Sequence, residues 1–264
     1  MYEFHRDKKK YFSYQYQNAI DYVIPFIEKI LPLQKGMRVI EIGCAEGGVL
    51  KAFIEKGCNG VGVELSPTRA GLAQQFLRDE IEQDRAVIII KNIYDPSFKK
   101  EFEGSFDLII LKDVIEHIFD QEKLIHQLKG YLKPGGKIFF GFPPWYMAFG
   151  GHQQLCKNKW LSKIPYMHLF PEALYKKVLR WGGESGPVIN ELMEIKQTGI
   201  SIERFEKILS ILKCRIDNRT FYLINPIYKY KFGWKVSKQN SVVASIPYLR
   251  DFFTTAMYYL VTPE

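Results

Sequence analysis

The chain has 264 residues, 47% of them apolar and 15% aromatic, with 37 Lys and Arg against 29 Asp and Glu. This content fills the core of one large domain, or of a domain with a sizeable insertion, and excludes global disorder. The +8 charge is concentrated: residues 213–250 hold Lys213, Arg215, Arg219, Lys229, Lys231, Lys235, Lys238 and Arg250 against one acid, Asp217, a solvated basic surface or an anion-binding face.

From the N-terminus, "MYEFHRDKKKYF" is charged and aromatic, unlike a signal peptide, and no apolar run approaches the ~20 residues that cross a bilayer. Ala19, Ile20, Val23, Ile24, Phe26, Ile27 and Ile30 recur at helical spacing, so the segment 1–35 is expected to hold an amphipathic helix over 13–31, closed by Pro32. Strand and helix then alternate. Strands are expected at 37–43, 60–65, 86–91, 106–111 and 137–142, with helices at 48–56, 66–84 and 121–132; Ser66 caps the second of these and Pro67 opens it. The strands are apolar throughout, as in a sheet covered on both faces. With further strands at 215–224 and in the closing "AMYYLVT", the fold class is α/β, a doubly wound and mostly parallel seven-stranded sheet.

The alternation breaks twice, at 144–200 and at the basic-aromatic loop 225–250 within the C-terminal part 201–264. The first break contains one helical patch, near 171–181. Both breaks start where a strand ends, on the edge that carries the ligand crevice of such sheets, so they are expected to converge as a cap. The four cysteines (Cys44, Cys58, Cys156, Cys214) form no CxxC pair, and the five histidines form no HxxxH or HExxH pattern. Spacing thus predicts reduced core thiols, a cytoplasmic location and no metal site.

The stretch "RVIEIGCAEGGVL" at 38–50 is a strand, a glycine turn and a helix start, which is nucleotide-binding geometry. Glu41 interrupts the strand, and Glu64 ends the next one about 20 residues past the turn, where an acid can take both hydroxyls of an adenosyl ribose. Dinucleotides and S-adenosylmethionine both suit the turn. A carboxylate at Glu41 would repel a pyrophosphate and attract an ammonium and a sulfonium, so charge selects the cationic cofactor.

Residues 36–143 resemble the class I S-adenosylmethionine-dependent methyltransferases, most closely the small-molecule branch that includes the ubiquinone and menaquinone biosynthesis methyltransferases. The stretches that carry the resemblance are "VIEIGCAEGG", "GVGVELSP", "SFDLIILKDVIEHI" and "LKPGGKIFF". The resemblance implies that Glu41 and the turn Gly43, Cys44, Ala45 and Gly47 line the methionine end of the cofactor. It further implies that Glu64 holds the ribose, that Leu65 packs on the adenine, that Asn92 and Ile93 lie near the adenine amine, and that Lys112 and Asp113 lie near the sulfonium. Ala45 stands where the family usually has glycine, and Asn92 where it usually has aspartate.

Methyl transfer needs mainly positioning and exclusion of water, with a base if the acceptor is a hydroxyl. His152 in "FGGHQQ" is the first candidate base, followed by His117 and His168; packing is the plain alternative for each. The aromatic cap segments suit a small-molecule, lipid-linked or glycan-linked acceptor, O- or N-methylated. The 213–250 region offers anion recognition or peripheral membrane contact. Nucleic acid ranks lower, because no RNA-binding module is recognisable. The competing reading is a non-catalytic binder of the same cofactor that meets a partner through its cap.

Overall fold

A computed structural model of the protein describes residues 7–264. Helix α1 (Lys8–Asn18) is capped by Asp7, whose side chain accepts the Lys10 N–H at 2.9 Å. A π turn (Ala19–Val23) joins it to α2 (Ile24–Ile27). The irregular turn lies directly ahead of Pro25, which has no N–H to continue the helical ladder. The helix expected over 13–31 therefore starts earlier and is broken.

The alternation continues with β1 (Arg38–Ile42), α3 (Gly48–Glu55), β2 (Asn59–Val63), α4 (Pro67–Phe76), α5 (Arg78–Glu82), β3 (Ala86–Ile89), α6 (Pro96–Phe102), β4 (Phe106–Lys112), α7 (Gln121–Lys129) and β5 (Leu132–Phe142). Helix α6 was not anticipated from sequence, although Asp95–Pro96 is a start signal and the Asp95 side chain accepts the Ser97 N–H. After the cap come α8 (Glu172–Trp181), α9 (Gly186–Thr198), α10 (Ile202–Ile211), β6 (Cys214–Ile224), α11 (Ile227–Phe232), β7 (Ser237–Lys238), α12 (Ser241–Ala244), α13 (Leu249–Phe252) and β8 (Ala256–Pro263).

The strands form one sheet in the order β3-β2-β1-β4-β5-β8-β6-β7. Strands β1 to β5 pair in parallel, and β8 lies antiparallel between β5 and β6. The count is eight rather than seven. The extra strand is the two-residue edge β7 from the 225–250 connection, too short to leave a hydrophobic period. The chain order reverses between β1 and β4, and a crevice at the carboxyl ends of these strands is the ligand position in open α/β sheets.

Alternate residues of each central strand enter opposite cores. In β4, Ile109 and Leu111 pack with Phe140, Phe142 and Phe205, while Leu108 and Ile110 pack with Phe53, Phe139 and Tyr258 on the other face. Two buried faces explain the continuously apolar strands. The cap has its own small core, including Cys156, Leu161, Met167, Tyr175, Leu179 and Leu192. It contains two helices, not one. The glycines at 182, 183 and 186 mask the start of α9 in the sequence, yet Pro187 sits at its first turn. Thr198 fastens α9 to the main fold, its hydroxyl donating to the Glu116 carbonyl at 2.7 Å and its carbonyl accepting from Gln121 at 2.6 Å.

Four of the eight basic residues of 213–250 are held in ion pairs. Arg215 pairs with Asp217, Arg219 with Glu206, Lys229 with Asp21, and Arg250 with both Glu203 and Glu206. Lys213 precedes β6, and Lys231 lies beyond its far end. All four cysteines are buried and free, and no helix among the described residues is long and apolar enough to cross a membrane.

Phe139 is fully buried, edge-on to Phe26 and Tyr258 with ring centroids 5.8 and 5.2 Å away. Phe139→Ala should lower unfolding free energy by about 3–5 kcal/mol in urea titrations, the cost of an aromatic-sized cavity.

Candidate active site

The turn after β1 uses the left-handed backbone three times, at Gly43, Ala45 and Gly47, with φ of 69°, 49° and 85°. Ala45 tolerates a conformation that glycine adopts more readily, at about 1–2 kcal/mol of steric cost. The Gly43 and Cys44 N–H groups donate to the Val63 carbonyl at 2.8 and 3.0 Å, tying the turn to β2. Two acids organise what remains. The buried Glu41 accepts the Leu50 N–H at 2.9 Å, inside the first turn of α3. Glu64 accepts the Ala45 N–H at 3.0 Å with one oxygen and the Ser66 N–H at 2.9 Å with the other. Burial lifts the Glu41 carboxyl from 4.5 to about 8, so near neutral pH it keeps its proton until a cation comes to it.

Above the turn lies a cavity of about 380 Å³. Its floor comes from Glu41, Gly43, Cys44, Ala45, Lys112 and Asp113, and its cap side from Met147, Phe149, His152, Gln154 and Leu155. Of the residues proposed from sequence, Gly47, Glu64, Leu65, Asn92 and Ile93 stand outside this lining. Leu65 is 66% exposed beyond the turn. The Asn92 side-chain oxygen accepts the Tyr94 N–H at 2.9 Å, a local turn bond. The Ile93 side chain packs in the core, and its carbonyl accepts the Tyr131 hydroxyl at 2.8 Å. Cys44 is buried, and burial raises its thiol, which suits a spacer rather than a nucleophile.

At the far side of the floor, burial would raise the Asp113 carboxyl, but the Lys112 ammonium 2.6 Å away holds it below its usual range. Asp113 itself is left-handed, with φ 57°. His117 and His152 meet edge-to-face with ring centroids 5.0 Å apart. Sequence explains how His152 arrives there. A Cβ on Gly150 would come 2.2 Å from the Trp145 carbonyl oxygen, and one on Gly151 would come 2.1 Å from His168, so only glycines let this loop fold back over the sheet. Burial first, then His117, lowers His152 to about 4, and burial also lowers His117, so both imidazoles are neutral at pH 7. His168 is excluded from the cavity lining: it is fully buried, with Nε2 at 2.8 Å from the Trp145 carbonyl and Nδ1 at 3.1 Å from the Gln153 amide.

Glu116, His117 and His152 each offer a ligand atom, all within 4.8 Å of one another, and Glu116 Oε2 is buried without a hydrogen-bond partner. This donor set fits a divalent cation. Spacing along the chain predicted no metal site because His152 joins the other two only through the cap.

Comparison with known proteins decides the family. The family model described as a methyltransferase domain matches residues 14–179, more than half of the chain. The chain belongs to the class I S-adenosylmethionine-dependent methyltransferase family. The ubiquinone biosynthesis O-methyltransferases of Paracidovorax citrulli and Idiomarina loihiensis are 28% and 30% identical to it over 115 and 116 residues. Each alignment covers 44% of this chain and 47% or 46% of the relative, so the chain spans about half the length of the curated relatives it matches. The fold is shared more widely. A geranyl diphosphate C-methyltransferase from Streptomyces coelicolor, solved with Mg2+, geranyl diphosphate and S-adenosyl-L-homocysteine, superposes with a TM-score of 0.56 at 14% identity over 99% of this chain and 82% of its own. Phosphoethanolamine N-methyltransferase 2 of Haemonchus contortus gives 0.53 at 15% over 94% and 52%.

In this methyltransferase several lining residues were not foreseen from sequence: Tyr11, Phe12 and Gln15 of α1, Arg69, and Asn225, Tyr228 and Lys231 around α11. The i, i+4 pair Tyr11 and Gln15, whose side chains bond each other at 2.8 Å, was the available signal. Helix α1 rests directly on the start of α3. A Cβ on Gly48 would meet the Phe12 carbonyl oxygen at 2.5 Å, so Gly48 permits this close approach.

Glu41→Gln removes the cost of ionising a buried carboxylate while keeping an acceptor for the Leu50 N–H. Because the folded-state value is raised, wild type loses stability as pH rises from about 4.5 to about 8. The variant should match wild type below that window and exceed it increasingly across it in denaturant titrations, while its affinity for S-adenosylhomocysteine falls. Equal stability at every pH together with unchanged affinity would remove Glu41 from the site.

Proposed function

We propose that the protein transfers the methyl group of S-adenosylmethionine to an oxygen of a small-molecule or lipid- or glycan-linked acceptor bound beneath the cap. The observation that carries this reading is that one cavity is lined both by the glycine turn with Glu41 and by the neutral pair His117 and His152. A methyl donor held by the first would present its sulfonium toward Lys112 and Asp113, and an acceptor hydroxyl under the cap would lie beside two imidazoles able to take its proton. The non-catalytic alternative is disfavoured by the same continuity, since a pure cofactor binder needs no acceptor space.

The residues divide the work by position. Glu41 regains its charge when an ammonium enters, which favours the methionine end of the cofactor over a pyrophosphate. Asp113, kept ionised by Lys112, faces the region where the sulfonium charge would be held. Lys231, whose burial lowers it to about 8, remains mostly cationic at neutral pH and offers a contact for a carboxylate or phosphate on the acceptor. Glu116, His117 and His152 would hold a divalent cation if one binds, and such an ion would supply a lowered hydroxyl pKa.

Calorimetric titration with S-adenosylhomocysteine and with NAD tests the cofactor; binding of NAD alone would overturn the reading. For chemistry, S-adenosylhomocysteine release is followed on addition of lipid and polar extracts from the native host. His152→Ala should lower that release by about 10²-fold, the lower range for a lost acid–base group, with cofactor affinity unchanged. A fall in cofactor affinity instead would make His152 a cofactor residue, and normal release would return it to packing.

A further inference from the structure

The outer surface of the cap carries residues that the cavity does not use. Trp160 and Trp181 are 83% and 75% exposed. They flank one junction: the Asn158 side chain donates to the Gly182 carbonyl at 2.9 Å, and Leu161 packs so tightly on Gly182 that a Cβ there would come within 2.1 Å. On α8, Leu174, Lys177 and Trp181 follow one another at i, i+3 and i+7, on the side away from the buried Tyr175 and Leu179. Ile164, Tyr166 and Phe170 of the same cap are also exposed. Tyr166 then joins it to the 248–253 segment, its hydroxyl donating to the Phe252 carbonyl at 3.4 Å beside exposed Tyr248, Leu249 and Phe253.

The charge on this surface is mostly positive. Residues 157–181 contain Lys157, Lys159, Lys163, Lys176, Lys177 and Arg180 against the single acid Glu172, which pairs with Lys176. The Lys177 ammonium lies 4.6 Å over the Trp181 ring. The buried centre of a protein–protein interface is depleted in lysine. Exposed tryptophans set among lysines are instead the composition of a surface that lies in the headgroup layer of an anionic bilayer, the rings at the acyl boundary and the ammonium groups among phosphates.

We propose that this face docks the cap on an anionic lipid bilayer. The inner side of the same cap lines the cavity through Met147, Phe149 and Leu155, so docking would bring the acceptor site to the membrane surface, where a lipid-linked acceptor resides. The consequence for substrate class rests on the methyltransferase reading, whereas the docking itself needs neither cofactor nor acceptor. The basic face assigned here is the cap, not the 213–250 stretch, where four of the eight cations are held in ion pairs.

Co-sedimentation of the full chain with phosphatidylcholine vesicles, and with vesicles carrying about one-third phosphatidylglycerol, tests the proposal. Binding is expected to the anionic vesicles and to weaken with salt. Lys159→Gln and Lys163→Gln should each lower the partition constant about fivefold. The double variant Trp160→Ser, Trp181→Ser should lose most binding; both side chains are exposed, and unchanged S-adenosylhomocysteine affinity and melting temperature would show that the fold is kept. No sedimentation with anionic vesicles at low salt would overturn the proposal. So would undiminished binding by the double tryptophan variant, or capture by single-stranded RNA in place of vesicles. Failure of cofactor binding in the wild type would strike the methyltransferase reading alone.

Discussion

A buried carboxyl group at the edge of a cavity, fastened to the first turn of a helix, is the constraint on which the site depends. Glu41 sits near the end of β1, the one charge in its buried stretch Val39–Ile42, and its bond to the Leu50 N–H sets where α3 begins relative to β1. The three left-handed residues between them follow from that short span. Glu64 repeats the device one strand over, joining the same turn to the start of α4. Acids that orient backbone N–H groups hold the turn in one shape, so the floor of the cavity is preorganised by the bonds that build it.

Around this floor the enclosure is assembled from distant parts. The cap contributes His152 because two glycines allow its loop to press on Trp145 and His168. The N-terminal helix contributes Tyr11, Phe12 and Gln15 because Gly48 lets it lie against the start of α3. Each approach would be blocked by a single methyl group. The interior is mixed in charge, with Lys112 neutralising Asp113 and with two imidazoles kept neutral by burial. In the proposed reaction the donor's charge and the acceptor's proton would meet these groups from different sides.

Much of the fold was legible in the sequence, because strands buried on both faces are written as unbroken apolar runs. Glu41 and Glu64 were legible because a charge at the end of such a run is an anomaly that demands a partner. Less visible were elements with too few residues to show a period, such as β7, or with starts hidden among glycines, such as α9. Convergence was the least visible: Glu116, His117 and His152 form one cluster, and Lys231 reaches the cavity, only through the path of the cap and of α11. The adenine side is the least direct: of the residues that the resemblance implies there, Asn92 has its side-chain oxygen engaged in its own turn and the Ile93 side chain belongs to the core.

The helices that cover the floor come from opposite ends of the chain. Tyr230 of α11 reaches the N-terminal helix, its hydroxyl donating to the Gln17 carbonyl at 3.3 Å, and Lys229 pairs with Asp21 at 2.8 Å. The turn side of the floor is local in sequence, with β1, the glycine turn and β2 all lying between Arg38 and Val63. The enclosure is not local, since the bonds of α11 to the N-terminal helix and to the turn after it join residues 213 and 208 positions apart. That side of the floor therefore rests on one turn, and the chamber on the fold as a whole.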